Sequence, residues 1–159
     1  MFLLFVFICN LDVAPVRNEI DDLDHPEMAN VHAKRFPEHI IDVIIQNGHI
    51  HALVVEDVTH LSVRGLLLTT PQSGWVQVDM GAVPYVCNGA NVMSAGINDA
   101  SPEIVEGQYV WIREESQHKP LAVGKSLLSS QEMLNSNKGK AIKALHYIGD
   151  KVWDYGVKD

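Results

Sequence analysis

Asp79-Met80-Gly81-Ala82-Val83-Pro84-Tyr85-Val86-Cys87-Asn88-Gly89-Ala90-Asn91-Val92-Met93-Ser94-Ala95-Gly96-Ile97 is the stretch on which the fold turns. Just before it, Trp75-Val76-Gln77-Val78-Asp79 alternates apolar and polar residues as a strand does. Gly81 to Cys87 then reads as a short helix, because Pro84 falls in the opening turns, where a missing N–H is tolerated, and Gly89 ends it. The small residues that follow form a loop whose backbone N–H groups are little shielded by side chains. Such a loop can approach a phosphate or a base edge closely. Taken alone, glycines beside a helix end are first of all caps.

Toward the C-terminus, Tyr109 to Arg113 and Leu121 to Leu127 are strands flanking a polar turn from Glu114 to Lys119, with Pro120 starting the second. Ser129 followed by Glu132 matches a capping box, so a short helix through Met133 and Leu134 is expected to stop before Gly139. Ala141 to Ile148 returns to strand, and a Gly149-Asp150 turn leads into a last strand, Val152-Trp153-Asp154-Tyr155. Some five short strands interrupted by two short helices predict a small mixed or antiparallel barrel.

Toward the N-terminus, the β-branched runs Ile40 to Ile45 and Ile50 to Val55 flank Gln46-Asn47-Gly48-His49, where Asn-Gly supplies the positive φ angles of a type I′ hairpin turn. Leu61 to Leu68 is apolar with a period that suits strand or helix. The breaker cluster Thr69 to Gly74 sets a boundary between a domain of residues 1–73 and one of residues 74–159. Arg17 to Arg35 is polar loop or solvated face. Phe2 to Ile8 is too short to span a bilayer and lacks a basic flank, so it reads as a buried strand or helix piece.

With 159 residues, 47% hydrophobic and 20% charged, the chain suits one core or two small ones, and is not a coiled coil, a collagen or a disordered tail. A net charge of -8 excludes whole-surface attraction to nucleic acid or acidic lipid, so any polyanion must be met locally. Residues 1–75 carry four basic against ten acidic side chains, and residues 76–159 eight against ten, so the second half is nearly neutral. Cys9 and Cys87 have no CxxC spacing, which fits a reducing, cytoplasmic setting and no membrane.

The stretch from Asp79 to Ile97, with Glu106-Gly107, Leu121 to Met133 and Lys138-Gly139-Lys140-Ala141-Ile142, resembles a PUA domain from end to end. The tail His146 to Trp153 is similar to archaeal pre-PUA/PUA proteins and to the eukaryotic re-initiation factors called malignant T-cell-amplified sequence. The resemblance covers about residues 75–155. It departs at Ala95, where the family usually has Pro, and at Gln108, where it usually has Asp; the first bears on loop rigidity, the second on a turn. It implies an α+β protein: a C-terminal PUA β-pseudobarrel with two short helices, preceded by a small α+β, pre-PUA-like domain.

The resemblance also implies an RNA-contacting face, with Gly89, Ala90, Asn91, Val92, Met93, Ser94 and Gly96 as its close-contact residues. Lys125, Lys138, Lys140 and Lys143 lie in or beside strands expected to neighbour that loop, and each can neutralise a phosphate. Singly they read as solvated surface; together, in the nearly neutral half, they suggest a basic patch. Of the aromatic residues, Trp111, Trp153, Tyr109 and Tyr155 read as barrel filling, while Tyr85 and Tyr147 are the candidates for base stacking. By resemblance the expected partners are tRNA or rRNA, with the small ribosomal subunit or a translation factor, in initiation, re-initiation or recycling.

Two other readings stand beside this one. The chain is an accessory subunit presenting RNA to a modification enzyme, or a metal- or small-ligand-binding regulator using His39, His49, His51 and His60 among its eight histidines. No carboxylate or cysteine stands at a recognised ligand spacing beside those histidines, so no metal or cofactor is expected. There is no nucleophile elbow, phosphate-binding loop, HExxH or dinucleotide fingerprint, and Cys87 reads as an inert thiol. A binder, not an enzyme, is expected.

Overall fold

A computed structural model describes residues 39–156, so the expectations for Phe2 to Ile8, Cys9 and Arg17 to Arg35 lie outside the described residues. Contacts gather the described chain into two compact units, residues 70–150 and residues 39–69 with 151–156.

In the first unit, strands β1 (Asp42–Gln46), β2 (His49–Val55) and β3 (Val58–Leu61) form an antiparallel sheet in that order. The β1–β2 hairpin closes on Asn47 and Gly48, with φ of 52° and 80°, as a type I′ turn requires. The β2–β3 turn closes the same way on Glu56 and Asp57, φ 51° and 62°, without a glycine to signal it. The run from Leu61 to Leu68 proves to be both elements: Leu61 ends β3, and helix α1 (Val63–Thr69) follows at once. Ser62 makes the joint, its hydroxyl donating to the Ile50 carbonyl at 2.7 Å and accepting from the Gly65 N–H at 3.2 Å, which caps α1. Ile40, Ile44, Ile50, Leu53, Val63 and Leu66 fill the core.

In the second unit come β4 (Trp75–Val78), α2 (Val83–Val86), β5 (Val92–Met93), a single 3-10 turn (Ser94–Gly96), β6 (Ile97–Ala100), β7 (Tyr109–Glu114), β8 (Pro120–Ser126), α3 (Ser130–Asn135) and β9 (Lys140–Tyr147). The sheet order is β5-β9-β8-β7-β4-β6, antiparallel except where β4 runs parallel to β7. It curls around Val76, Val78, Val86, Val92, Ile112, Met133 and Ile142, the pseudobarrel that the resemblance implies, with its two short helices. The capping box forms: the Ser129 hydroxyl accepts from the Glu132 N–H at 3.2 Å. At Gln108, where the family usually has Asp, the side-chain oxygen accepts from the Val105 N–H at 3.2 Å across the turn.

Two expectations are corrected. Val152 to Tyr155 is not a last strand: Lys151–Asp154 forms a helical turn, α4, which packs with the first unit. Four alternating residues cannot set a period by themselves, and here Val152, 1% exposed, and Trp153 are claimed by that unit's core and by Arg64. The loop read from Gly89 to Ile97 is also shorter than expected, because Val92–Met93 pairs with β9 and Ile97–Ala100 with β4.

Candidate nucleic-acid interface

Asp79 organises the entry to the loop. Its N–H donates to the Gly96 carbonyl at 2.9 Å and its carboxylate accepts from the Ala82 N–H at 2.9 Å, tying both ends of the segment to the end of β4. α2 is held by Val86 and Cys87 N–H bonds to Ala82 and Val83 carbonyls, and the Ala90 N–H returns to Tyr85. Gly89 follows with φ +87°, and a Cβ there would lie 2.7 Å from the Tyr147 ring. Its glycine thus answers to Tyr147 before any ligand.

The candidate residues part into three groups. Ala90 and Met93 are exposed and Gly89, Asn91 and Gly96 half-buried, so they border solvent. The Asn91 side-chain oxygen accepts from the Ala144 N–H at 2.9 Å, anchoring the loop to β9. Val92 and Ser94 are buried, 3% and 2% exposed, so any close contact they make with a ligand is through the backbone or, for Val92, at the wall of the groove. Tyr147 is half-buried against Gly89. Tyr85, 70% exposed, stands at the rim of a groove of about 270 Å³ that Asp79, Gly81, Asn91, Met93 and Ala95 also line.

The lysines are gathered by register. Met93 pairs with Lys140 and Val92 with Ile142, so Ala141 is bulged; Ala141 and Ile142 are both buried, and the bulge turns Lys140 to the outer side with Met93. Lys143 faces the same side, opposite Lys125 on β8, which in turn lies opposite Tyr109 on β7 with its ammonium 5.5 Å from that ring. Met93, Lys140, Lys143, Lys125 and Tyr109 therefore step across four adjacent strands. Lys138 is exposed in the turn before β9, next to Gly139, whose carbonyl accepts from the Ser94 N–H at 3.0 Å. Lysines directly opposite each other repel, a cost that a bound polyanion removes. Among the described residues no carboxylate pairs with Lys138, Lys140 or Lys143.

Tyr109, read from sequence as barrel filling, belongs to this strip, and its place opposite Lys125 in the hairpin is the signal that could have found it. Trp111 is buried, 6% exposed, with its indole N–H donating to the Ser73 carbonyl at 2.9 Å, but it alternates with Val110 and Ile112, the β7 residues that fill the barrel core. Arg113 stacks on Trp75 at 3.5 Å, a pair invisible in sequence because β4 and β7 pair in parallel across a long connection. Burial pushes the Cys87 thiol up, away from reactivity. Among the described residues no three His, Cys, Asp or Glu side chains converge as a metal site, and no helix is long and apolar enough to cross a membrane.

The family model of the PUA domain matches residues 74–148. An uncharacterized protein of Methanocaldococcus jannaschii is 34% identical over 155 residues, 94% of each chain. Translation machinery-associated protein 20 of Saccharomyces cerevisiae is 35% identical over 89 residues, 52% of this chain and 49% of that one, so the chain spans about half the length of this relative. Among solved structures, a hypothetical protein of Pyrococcus horikoshii superposes with a TM-score of 0.67 at 36% identity, covering 76% of this chain and 75% of that one.

Proposed function

The chain belongs to the family of PUA-domain proteins, and from that premise we propose that it binds structured RNA, tRNA or ribosomal RNA, and catalyses nothing on it. Its setting is translation initiation, re-initiation or recycling in the cytoplasm, where the small ribosomal subunit or a translation factor is its partner. The translation-associated name of the yeast relative supports that setting.

The observation that carries the reading is the outward strip of Lys140, Lys143 and Lys125 running from the rim of the Tyr85 groove to Tyr109. In a molecule of net charge -8, such a strip gives RNA a local place to bind that the overall field denies. The lysines neutralise phosphates, and the groove beside Gly89 to Gly96 receives an unstacked base against Tyr85 and Met93.

Fluorescence anisotropy with labelled tRNA, and sedimentation with small ribosomal subunits, tests this across a salt series. Affinity should fall with salt, and Lys140→Ala or Lys125→Ala should each lower the logarithmic salt slope by about one. Binding that is absent, or indifferent to salt, would overturn the proposal.

A further inference from the structure

The first unit holds a pocket of about 310 Å³ for which RNA binding by the pseudobarrel has no use. Arg64, Leu67 and Leu68 fall at i, i+3 and i+4 on α1 and so share a face, and His49 and His51 share one face of β2; all five line the pocket. Leu67 and Leu68 are 46% and 73% exposed, an apolar pair set beside a cation.

The cation is held rigidly. The Arg64 guanidinium lies over the Trp153 ring at 4.0 Å, and its Nε–H donates to the Trp153 carbonyl at 2.9 Å. Stacking and that bond fix the plane of the fork without using its terminal amino groups, and among the described residues no carboxylate pairs with them. His49 Nδ1 lies 3.1 Å from the Tyr155 carbonyl, so Nδ1 donates to it and Nε2 is an acceptor, which leaves Arg64 as the group suited to an anion. A guanidinium already stacked and oriented is suited to a planar or tetrahedral oxyanion. The same charge disfavours a metal ion at the two histidines.

We infer that this pocket binds a small amphiphilic anion, a carboxylate or phosphate joined to an apolar body, with Arg64 on the charged group and Leu67 and Leu68 on the body.

The test titrates the full chain with octanoate, octyl phosphate, octanol and inorganic phosphate, followed by NMR of backbone amides, leucine methyls and arginine Nε–H. Octanoate or octyl phosphate should shift Arg64 and Leu67–Leu68 signals saturably, with octanol and inorganic phosphate weaker by about tenfold or more. Whichever of the first two binds tighter identifies the head group. Arg64→Lys, which keeps the charge but not the fork, should weaken binding by about tenfold. Because Arg64 also holds Trp153, Leu68→Ser is the second variant, expected to weaken binding of the alkyl ligands with the spectrum otherwise intact. No saturable shift, octanol or inorganic phosphate matching the amphiphiles, or both variants binding as the parent does would each overturn the inference.

Discussion

Gly89 is the position where backbone and packing make the same demand. Its φ of +87° suits glycine, and a Cβ would press on Tyr147 at 2.7 Å. Gly89→Ala should therefore destabilise the pseudobarrel by roughly 1–3 kcal/mol, read as a lower urea midpoint. Trimming the ring in Gly89→Ala with Tyr147→Leu should recover the steric part alone. His60 carries a second residue-level effect. Burial lowers its pKa from 6.5 to about 4, with Glu56 opposing. The folded value lies below the unfolded one, so the stabilisation is complete above pH 6.5 and is lost as pH falls toward 4. The loss amounts to about 3 kcal/mol. Urea midpoints over that window should decline in the parent and flatten in His60→Leu; an unchanged slope would show that the acid sensitivity lies elsewhere.

At the scale of elements, the β7–β8 hairpin hangs on Glu114, 6% exposed, whose carboxylate accepts from the N–H groups of Gln117 and Lys119 at 2.9 and 3.0 Å, and from Ser116. Burial works to raise its pKa, but the N–H groups of Lys119, Gln117 and Ser116 outweigh it and hold the carboxyl below the usual range. A depressed pKa gives stability above the unfolded value that fades as pH falls through the folded one. Glu114→Ala should cost about 1–3 kcal/mol at neutral pH by stranding those N–H groups, with amide exchange at residues 116–119 rising first. From sequence, Glu114 was only part of a polar turn. What could be read there were elements with local chemistry: the Asn47-Gly48 hairpin, the Ser129 cap, the Val76/Val78 alternation. β5, of two residues, has too few positions to show a period, and it exists because β9 lies beside it. The bulge that turns Lys140 outward, and so assembles the lysine strip, depends likewise on a partner strand distant in sequence.

For the molecule as a whole, the chain does not divide at one cut. It leaves the first unit after Thr69, builds residues 70–150, and returns with Lys151. The returning segment is integral to that unit: Val152 is 1% exposed, Trp153 stacks under Arg64, and the Tyr155 carbonyl meets His49. Burying a valine side chain is worth about 1.5–3 kcal/mol, a large share of what a small unit has to spare. The two ends of the second unit are thus both internal to the chain's path, while its core and hydrogen bonds close among its own residues. A fragment of residues 70–150 should fold alone, with amide spectra matching those residues in the full chain. Deleting residues 151–159 should leave those same resonances in place while residues 39–69 lose dispersion and amide protection. Truncation that left the first unit's protection intact would mean that α4 only rests on a core already complete without it.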